Sequence, residues 1–345
     1  MNIGIQENHR GTIMSETKKI LLTGGSGYIG SSFINLFSDE FSILSIDTNY
    51  YSTPEIVVNS SVINVNKDIR DISEKDLEGI DYIVHMAELS NDPLGEYNPN
   101  LTKSINIDAT KDIINLAKNS NIKKFIYMSS CSVYGFTDDL ILNEDSDTNP
   151  LTEYAKAKVA NERYLLENDY DFEIKILRNA TAFGFSPNTR LDLVVNDLSF
   201  SAINTSKIEV HSDGTPKRPL VHVEDICRVI YELIVSDESH VLLVNVGSDH
   251  MNYSVKEIAQ KISEITDVKN LSFGEKDNDQ RSYMVDFSKL KKVLPSFEFK
   301  HDLESGAIDL IENIQQIKSE INARRIRKIK NLIEEDKLDL NLYWK

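Results

Sequence analysis

Apolar residues fall in short blocks, and most of the polar stretches between them carry helical spacing. The first block, Ile20-Leu21-Leu22-Thr23, precedes a glycine cluster and a helical stretch to about Phe37. Runs of seven or eight β-rich residues follow at Phe41 to Asp47, Ser61 to Asp68, Asp81 to Ala87, Lys123 to Ser130 and Glu173 to Ala180. Residues 98–119 place Ile105, Ala109, Ile113, Leu116 and Ala117 on one helical face, and residues 152–167 read as another helix. Strands alternating with helices predict a parallel sheet covered on both faces. Past Ala180 the rhythm changes: helices near 191–204 and 254–266 mix with short strands, and Val241 to Val246 reads as a return to the sheet. The fold predicted is α/β, a Rossmann-type doubly wound parallel sheet with a smaller mixed α/β C-terminal lobe. Its bounds are 18–180 for the sheet domain, with the returning strand near 241–248, and 181–315 for the lobe.

The two ends read differently. Residues 1–17 are polar and aperiodic, and Met14 has the setting of a natural start, so an extension without structural role is expected there. Residues 316–345 read as a charged helix, with Arg324, Arg325, Arg327, Lys328 and Lys330 close together and Glu334, Glu335 and Asp336 just after. That balance predicts a solvated face.

Composition narrows the function classes. The 345 residues carry a net charge of −17, which disfavours a nucleic acid partner, because phosphate backbones need a basic face. No apolar run approaches the ~20 residues of a membrane span, and no signal-peptide pattern opens the chain. Cys131 and Cys227 are too few for a disulfide framework or a Cys-rich zinc site, and no metal is predicted. A cytoplasmic protein is expected.

Thr23-Gly24-Gly25-Ser26-Gly27-Tyr28-Ile29-Gly30 lies between the first strand and the first helix. Gly24 suits a tight turn, Gly27 a close approach of pyrophosphate to the backbone at Tyr28 and Ile29, and Gly30 the packing of helix on sheet. Free amides at that helix start favour an anion. Asp47 ends the second strand, where a carboxylate can bond the adenine ribose hydroxyls and repel a 2′-phosphate. Thr48 to Asn66 contains no Arg or Lys, which favours NAD over NADP. Asp68 and Ile69 fall along the same edge, near the adenine, although Asp68 could equally cap a turn before Asp71.

Tyr154 and Lys158 stand four apart on one helix, so both project from one face. A phenol titrates near ~10, and an ammonium one turn away brings it toward working range as a base. Upstream, Ser129-Ser130-Cys131-Ser132-Val133-Tyr134-Gly135 closes a strand at the edge where such sheets bind ligands, and a serine there can share a substrate proton with the tyrosine.

With the glycine loop, the Ser-Ser strand end, Tyr154-Ala-Lys-Ala-Lys158 and Arg218-Pro-Leu-Val-His222-Val-Glu-Asp-Ile226, the chain resembles the extended short-chain dehydrogenase/reductase family. Within it the likeness is to nucleotide-sugar epimerases and dehydratases typified by UDP-galactose 4-epimerase, over about Lys18 to Glu312. The resemblance implies Ser130, Tyr154 and Lys158 as the catalytic group. It also implies Met86, Ala87 and Asn106 at an NAD cofactor, and a nucleotide-diphosphate sugar as substrate. For that substrate it points to Ser130, Thr181, Arg218 and Arg281, with Arg190 and Asn196 around the helix opening the lobe as additions. His222 is expected to play a structural part. Dimerisation through the helices at 98–119 and 152–167 is also implied.

Departures from the family pattern narrow the chemistry. The 4,6-dehydratases of the family carry Asp-Glu where Cys131 and Ser132 stand, and decarboxylating members carry Glu at the second of these positions. Cys131 is also one residue away from the position of a cysteine used in 3,5-epimerisation, so a substrate-side role for it is weak. Glu88 replaces a small residue near the cofactor, and Thr181 an asparagine. The leading reading is an epimerase acting through a 4-keto sugar. A dehydrogenase releasing the keto-sugar, or a non-catalytic dinucleotide sensor or scaffold, stand as alternatives.

Overall fold

The computed structural model describes residues 17–51, 60–90, 92–236, 241–275, 282–317 and 320–345. Arg281 and nearly all of the N-terminal extension lie outside them. Seven strands form one wholly parallel sheet: β1 (Lys19–Thr23), β2 (Ser42–Asp47), β3 (Val62–Asn66), β4 (Tyr82–His85), β5 (Lys124–Ser130), β6 (Glu173–Asn179) and β7 (Val241–Val246), in the order β3-β2-β1-β4-β5-β6-β7. The chain reverses direction across the sheet between β1 and β4, and ligands of such sheets bind at that switch, beyond the carboxyl ends.

Both faces of the sheet are buried, which explains the nearly unbroken apolar runs. Ile20 and Leu22 pack on one side with Phe33 and Ile34 of α1 (Tyr28–Phe37), and Leu21 packs on the other. On that second side lie Ile113 and Ala117 of α2 (Ala109–Lys118) and Leu165 of α3 (Glu153–Leu166). The helix expected over 98–119 is present in pieces. Pro99–Thr102 is α-helical, Lys103–Asp108 is a π-helical turn, and α2 follows. The lobe has its own core, built by α4 (Val194–Thr205), α5 (Val255–Thr266) and α6 (Leu303–Asn313), with Val195, Leu198, Ile258, Ile262 and Leu303 buried together. Strand Lys217–His222 joins Thr181–Phe183 to Asn252–Ser254 in a three-stranded sheet.

The expectation of a solvated C-terminal helix is corrected by the structure. Glu320–Ala323 and α7 (Arg325–Glu334) are short helices, and the chain then turns back to bridge Leu338 with Trp344. Arg325, Ile329 and Leu332 are buried at i, i+4 and i+7, and Leu338 and Leu342 join the same core as α2. The density of basic residues hides this apolar stripe in the sequence.

Hydrogen bonds knit the carboxyl ends of β1 and β4 together. Thr23 Oγ1 accepts from the amides of Met86 and Ala87 at 3.1 and 3.2 Å, so its own proton goes to His85 Nδ1 at 2.8 Å. His85 Nε2–H then donates to Thr110 Oγ1 at 2.9 Å, which donates to the Asn106 carbonyl at 2.8 Å. Burial, with Lys158 adding repulsion, holds this histidine neutral, with a pKa lowered to about 3.

The unfolded chain therefore binds a proton at His85 below about pH 6.5 while the native chain does not. The stability this gives is full above pH 6.5 and is lost as pH falls toward 3, at about 1.4 kcal/mol per pH unit. Plots of unfolding free energy against pH for wild type and His85→Asn are expected to separate below pH 6.5, with wild type falling more steeply. Parallel plots would refute the assignment.

Candidate active site

The dinucleotide cleft opens over the β1–α1 turn. Gly24 has φ +77°, and a Cβ there would lie 2.9 Å from the Ala87 nitrogen. A Cβ on Gly30 would lie 2.3 Å from the Gly24 carbonyl oxygen, so α1 could not pack as closely. Gly24, Gly27, Tyr28, Ile29 and Gly30 all line the cleft. Tyr28 is also a structural tie, donating its hydroxyl to the Gly184 carbonyl at 2.8 Å. The first turn of α1 offers amides without helical partners.

Asp47 closes β2 beside this loop and accepts from the amides of Ser26 at 3.1 Å and Asn49 at 2.8 Å. Burial pushes its carboxyl up, while those donors and Arg325 pull it down. Asp68 and Ile69 line the far end of the cleft, with Tyr50 and Tyr51. Asp68 caps the turn Ile69–Asp71, as the alternative reading had it, and holds Arg70 through two hydrogen bonds of 2.9 and 2.7 Å. Met86 and Ala87 line the opposite wall. Asn106 does not reach the cleft. It is fully buried, accepting from the Leu89 amide at 2.9 Å and donating to the Leu89 carbonyl at 3.2 Å, and so fixes the loop after β4.

A second cleft of about 520 Å³ continues from the first, sharing Ile29, Met86, Glu88 and Arg190 with it. Ser130, Tyr154, Lys158, Thr181 and Arg218 come together in its wall. Ser130 Oγ accepts from the Ser132 amide at 3.1 Å, and Ser132 Oγ is buried without a hydrogen-bond partner. Cys131 turns away: its thiol donates to the Arg178 carbonyl at 3.1 Å, and burial raises its pKa far above the ordinary value. Arg190 lies between the two clefts, paired with Asp192 at 2.9 Å. Asn196 is fully buried behind it, accepting from the Gly184 amide and donating to the Arg190 carbonyl, both at 2.9 Å. His222 lines neither cleft and caps the helix Val223–Val235.

Lys158 is anchored more tightly than the Tyr-Lys spacing alone conveys. Its ammonium lies 5.3 Å from the Tyr154 ring centre, donates to the Met128 carbonyl, and pairs with Glu88 at 2.6 Å. The Glu88 side chain is buried with it and accepts from Tyr127 at 2.8 Å. Burial works to discharge Lys158, but Glu88 and Tyr154 outweigh it and hold the group charged, above its ordinary pKa. A few ångströms away Glu162 pairs with Arg178 at 2.7 Å and accepts from Ser129, locking α3 to β5 and β6. Sequence reading missed several cleft residues: Tyr51, Asn179, Arg324 and Arg325. Asn179, at the end of a predicted strand, had a positional signal. Arg324 had none, and Arg325 had only the buried stripe it shares with Ile329 and Leu332.

Removing Glu88 strands a buried ammonium. Glu88→Ala is expected to cost about 3–5 kcal/mol in urea unfolding, and a further Lys158→Met change should recover most of that loss. A single-variant loss below about 1 kcal/mol, the level of an exposed pair, would mean that Glu88 does not neutralise Lys158.

Comparison with known proteins places this geometry. A UDP-glucose 4-epimerase of Lactobacillus helveticus is 25% identical over 314 residues, 82% of this chain and 93% of that one. A dTDP-D-glucose 4,6-dehydratase of Homo sapiens is 24% identical over 305 residues, covering 84% and 83%. The solved UDP-N-acetylglucosamine 4-epimerase from Methanobrevibacter ruminantium M1 superposes with a TM-score of 0.79 at 26% identity, over 88% of this chain and all of that one. Residues 20–247, most of the sheet domain and part of the lobe, match a single family, and on that match the chain belongs to the NAD dependent epimerase/dehydratase family.

Proposed function

We propose that this protein is an NAD-dependent nucleotide-sugar epimerase acting through a transient 4-keto sugar. The observation that carries this reading is the make-up of the strand end after β5. Ser130 and Tyr154 face one cleft with Lys158, whereas positions 131 and 132 offer a thiol turned inward and a hydroxyl. Neither of those two positions carries a carboxylate to expel a hydroxyl group or abstract a proton from C5, and Glu88 in the same cleft is engaged by Lys158. The residues at the strand end therefore suit reversible oxidation of an alcohol.

The glycine loop, Asp47, Asp68 and the Met86-Ala87 wall would hold NAD, and their donor set fits it: free amides for the diphosphate and a carboxylate for ribose hydroxyls. Bound NAD supplies a hydride acceptor that also returns the hydride. Tyr154 takes the proton of the sugar hydroxyl as that carbon is oxidised and gives it back on reduction. Ser130 shares this hydrogen bond, and the Lys158 charge favours the phenolate. Arg218, with Arg281, would grip the substrate diphosphate as bidentate donors. The cleft's 520 Å³ is in the range of roughly 300–1,000 Å³ typical of small-molecule sites, and a keto-sugar must turn there for its other face to be reduced.

Incubation with NAD and a panel of nucleotide sugars is expected to give a product of unchanged mass without lasting NADH absorbance. A product two hydrogens lighter would make the enzyme a dehydrogenase, and loss of water a dehydratase. Tyr154→Phe should lower turnover by about 10²–10⁴-fold with NAD affinity little changed. Full biological activity in that variant would favour a non-catalytic role. The same reading carries a homodimer on helices 98–119 and 152–167, and light scattering is expected to give the mass of two chains.

A further inference from the structure

The basic run that opens α7 divides between two settings. Arg324 pairs with Asp197 at 2.8 Å and Glu320 at 2.9 Å. Arg325, the next residue, is 2% exposed and lines the dinucleotide cleft. Its Nη2 donates to the Asn188 carbonyl at 3.4 Å, and its guanidinium lies 4.1 Å from the centre of the Tyr51 ring. Nη1 is buried without a hydrogen-bond partner. Among the described residues no carboxylate lies within ion-pair distance of it.

A guanidinium buried in this way lacks the counter-charge that burial demands. A ring face answers only part of a cation's lost hydration. Arg190 adds repulsion, and burial together with Arg190 pushes the Arg325 pKa down to about 10, against the weaker through-space pull of Tyr51, Asp192 and Asp47. Arg190 has Asp192 as its own partner. The group missing from this corner is an anion.

The position of that anion follows from Asn188. Its Nδ2 donates to the Ser26 carbonyl at 2.6 Å while its backbone carbonyl accepts from Arg325, so one residue links Arg325 to the glycine loop. Asp47 is already engaged by two backbone amides. An anion touching both Arg325 and the amide-rich start of α1 occupies the diphosphate position of a dinucleotide. We propose that Arg325 is a ligand of the cofactor diphosphate, carried to the cleft by the C-terminal arm, which straps the cofactor in place. The proposal rests on the cofactor reading above.

The rest of the arm fits a strap. Trp344 Nε1 donates to the Thr48 carbonyl at 2.6 Å, Arg70 donates to the Asn341 carbonyl at 2.9 Å, and Tyr50 donates to the Leu342 carbonyl. These bonds fasten residues 341–344 to the turns after β2 and β3, where Tyr50 itself lines the adenosine end. Leu338 and Leu342 anchor the arm in the core.

The test is calorimetry on the nucleotide-free full chain with NAD, ADP, adenosine and NADP, comparing wild type, Arg325→Met and Arg325→Lys. Loss of a charge-assisted contact predicts NAD and ADP weakened roughly 10- to 100-fold in the methionine variant, adenosine unchanged, and partial recovery with lysine. The methionine variant should also melt no lower than wild type without ligand, yet gain less from ADP, because it removes an unpaired buried charge. Equal weakening of adenosine and ADP, or a lower melting temperature with unchanged ADP affinity, would make Arg325 structural and overturn the proposal. Weakening confined to NADP would make it a reader of the 2′-phosphate and overturn it too. A wild-type chain that binds none of the four ligands would refute the cofactor reading itself.

Discussion

The in-register hydrogen-bond ladder of the parallel sheet is the constraint on which the rest depends. Thr23 pairs with Ile46 on one side and His85 on the other, and Ser130 pairs with Asn179. Parallel pairing forces each carboxyl end to the same edge, so the glycine turn, Asp47, Glu88 and the Ser130 loop emerge side by side although most of the domain separates them in sequence. The Thr23, His85 and Thr110 bonds tighten the join between β1 and β4, where the cleft begins.

Charge inside this acidic protein is arranged by the same edge. Lys158 with Glu88 and Arg178 with Glu162 are buried pairs that fix α3 against the sheet, so that Tyr154 is held from below by compensated charges. Such pairs contribute position more than stability, because desolvation offsets most of their attraction. Arg325 breaks the pattern as a buried charge that, among the described residues, has no acid within ion-pair distance, although Asp47 and Asp192 act on it through space. In a chain with 55 acidic residues against 38 basic ones, an unanswered buried cation is a feature of the site and not of the surface balance.

What the sequence disclosed was local. The glycine turn, the strand ends and the Tyr154–Lys158 spacing are each set by residues within one or two turns of chain, so their geometry follows from pattern. Asn106 and Asn196 show the limit: both fall on the expected helices, but their amides are spent on the backbone of Leu89 and Gly184, a rotation that spacing does not encode. Cys131 likewise follows the strand end but turns inward. Thr48 to Asn66 carries no cation in sequence, whereas Arg325 arrives near Asp47 through the fold. The stripe of Arg325, Ile329 and Leu332 was present in the sequence, masked by the charges around it.

The arm's place in the chain has a consequence for biogenesis. Every strand of the sheet and all of the lobe are synthesised before residues 325–345, and domains generally begin to fold in the order in which they emerge. The glycine turn is thus exposed on the ribosome with its edge uncovered, and the cleft acquires its last wall only when the arm docks on Thr48 and Tyr50.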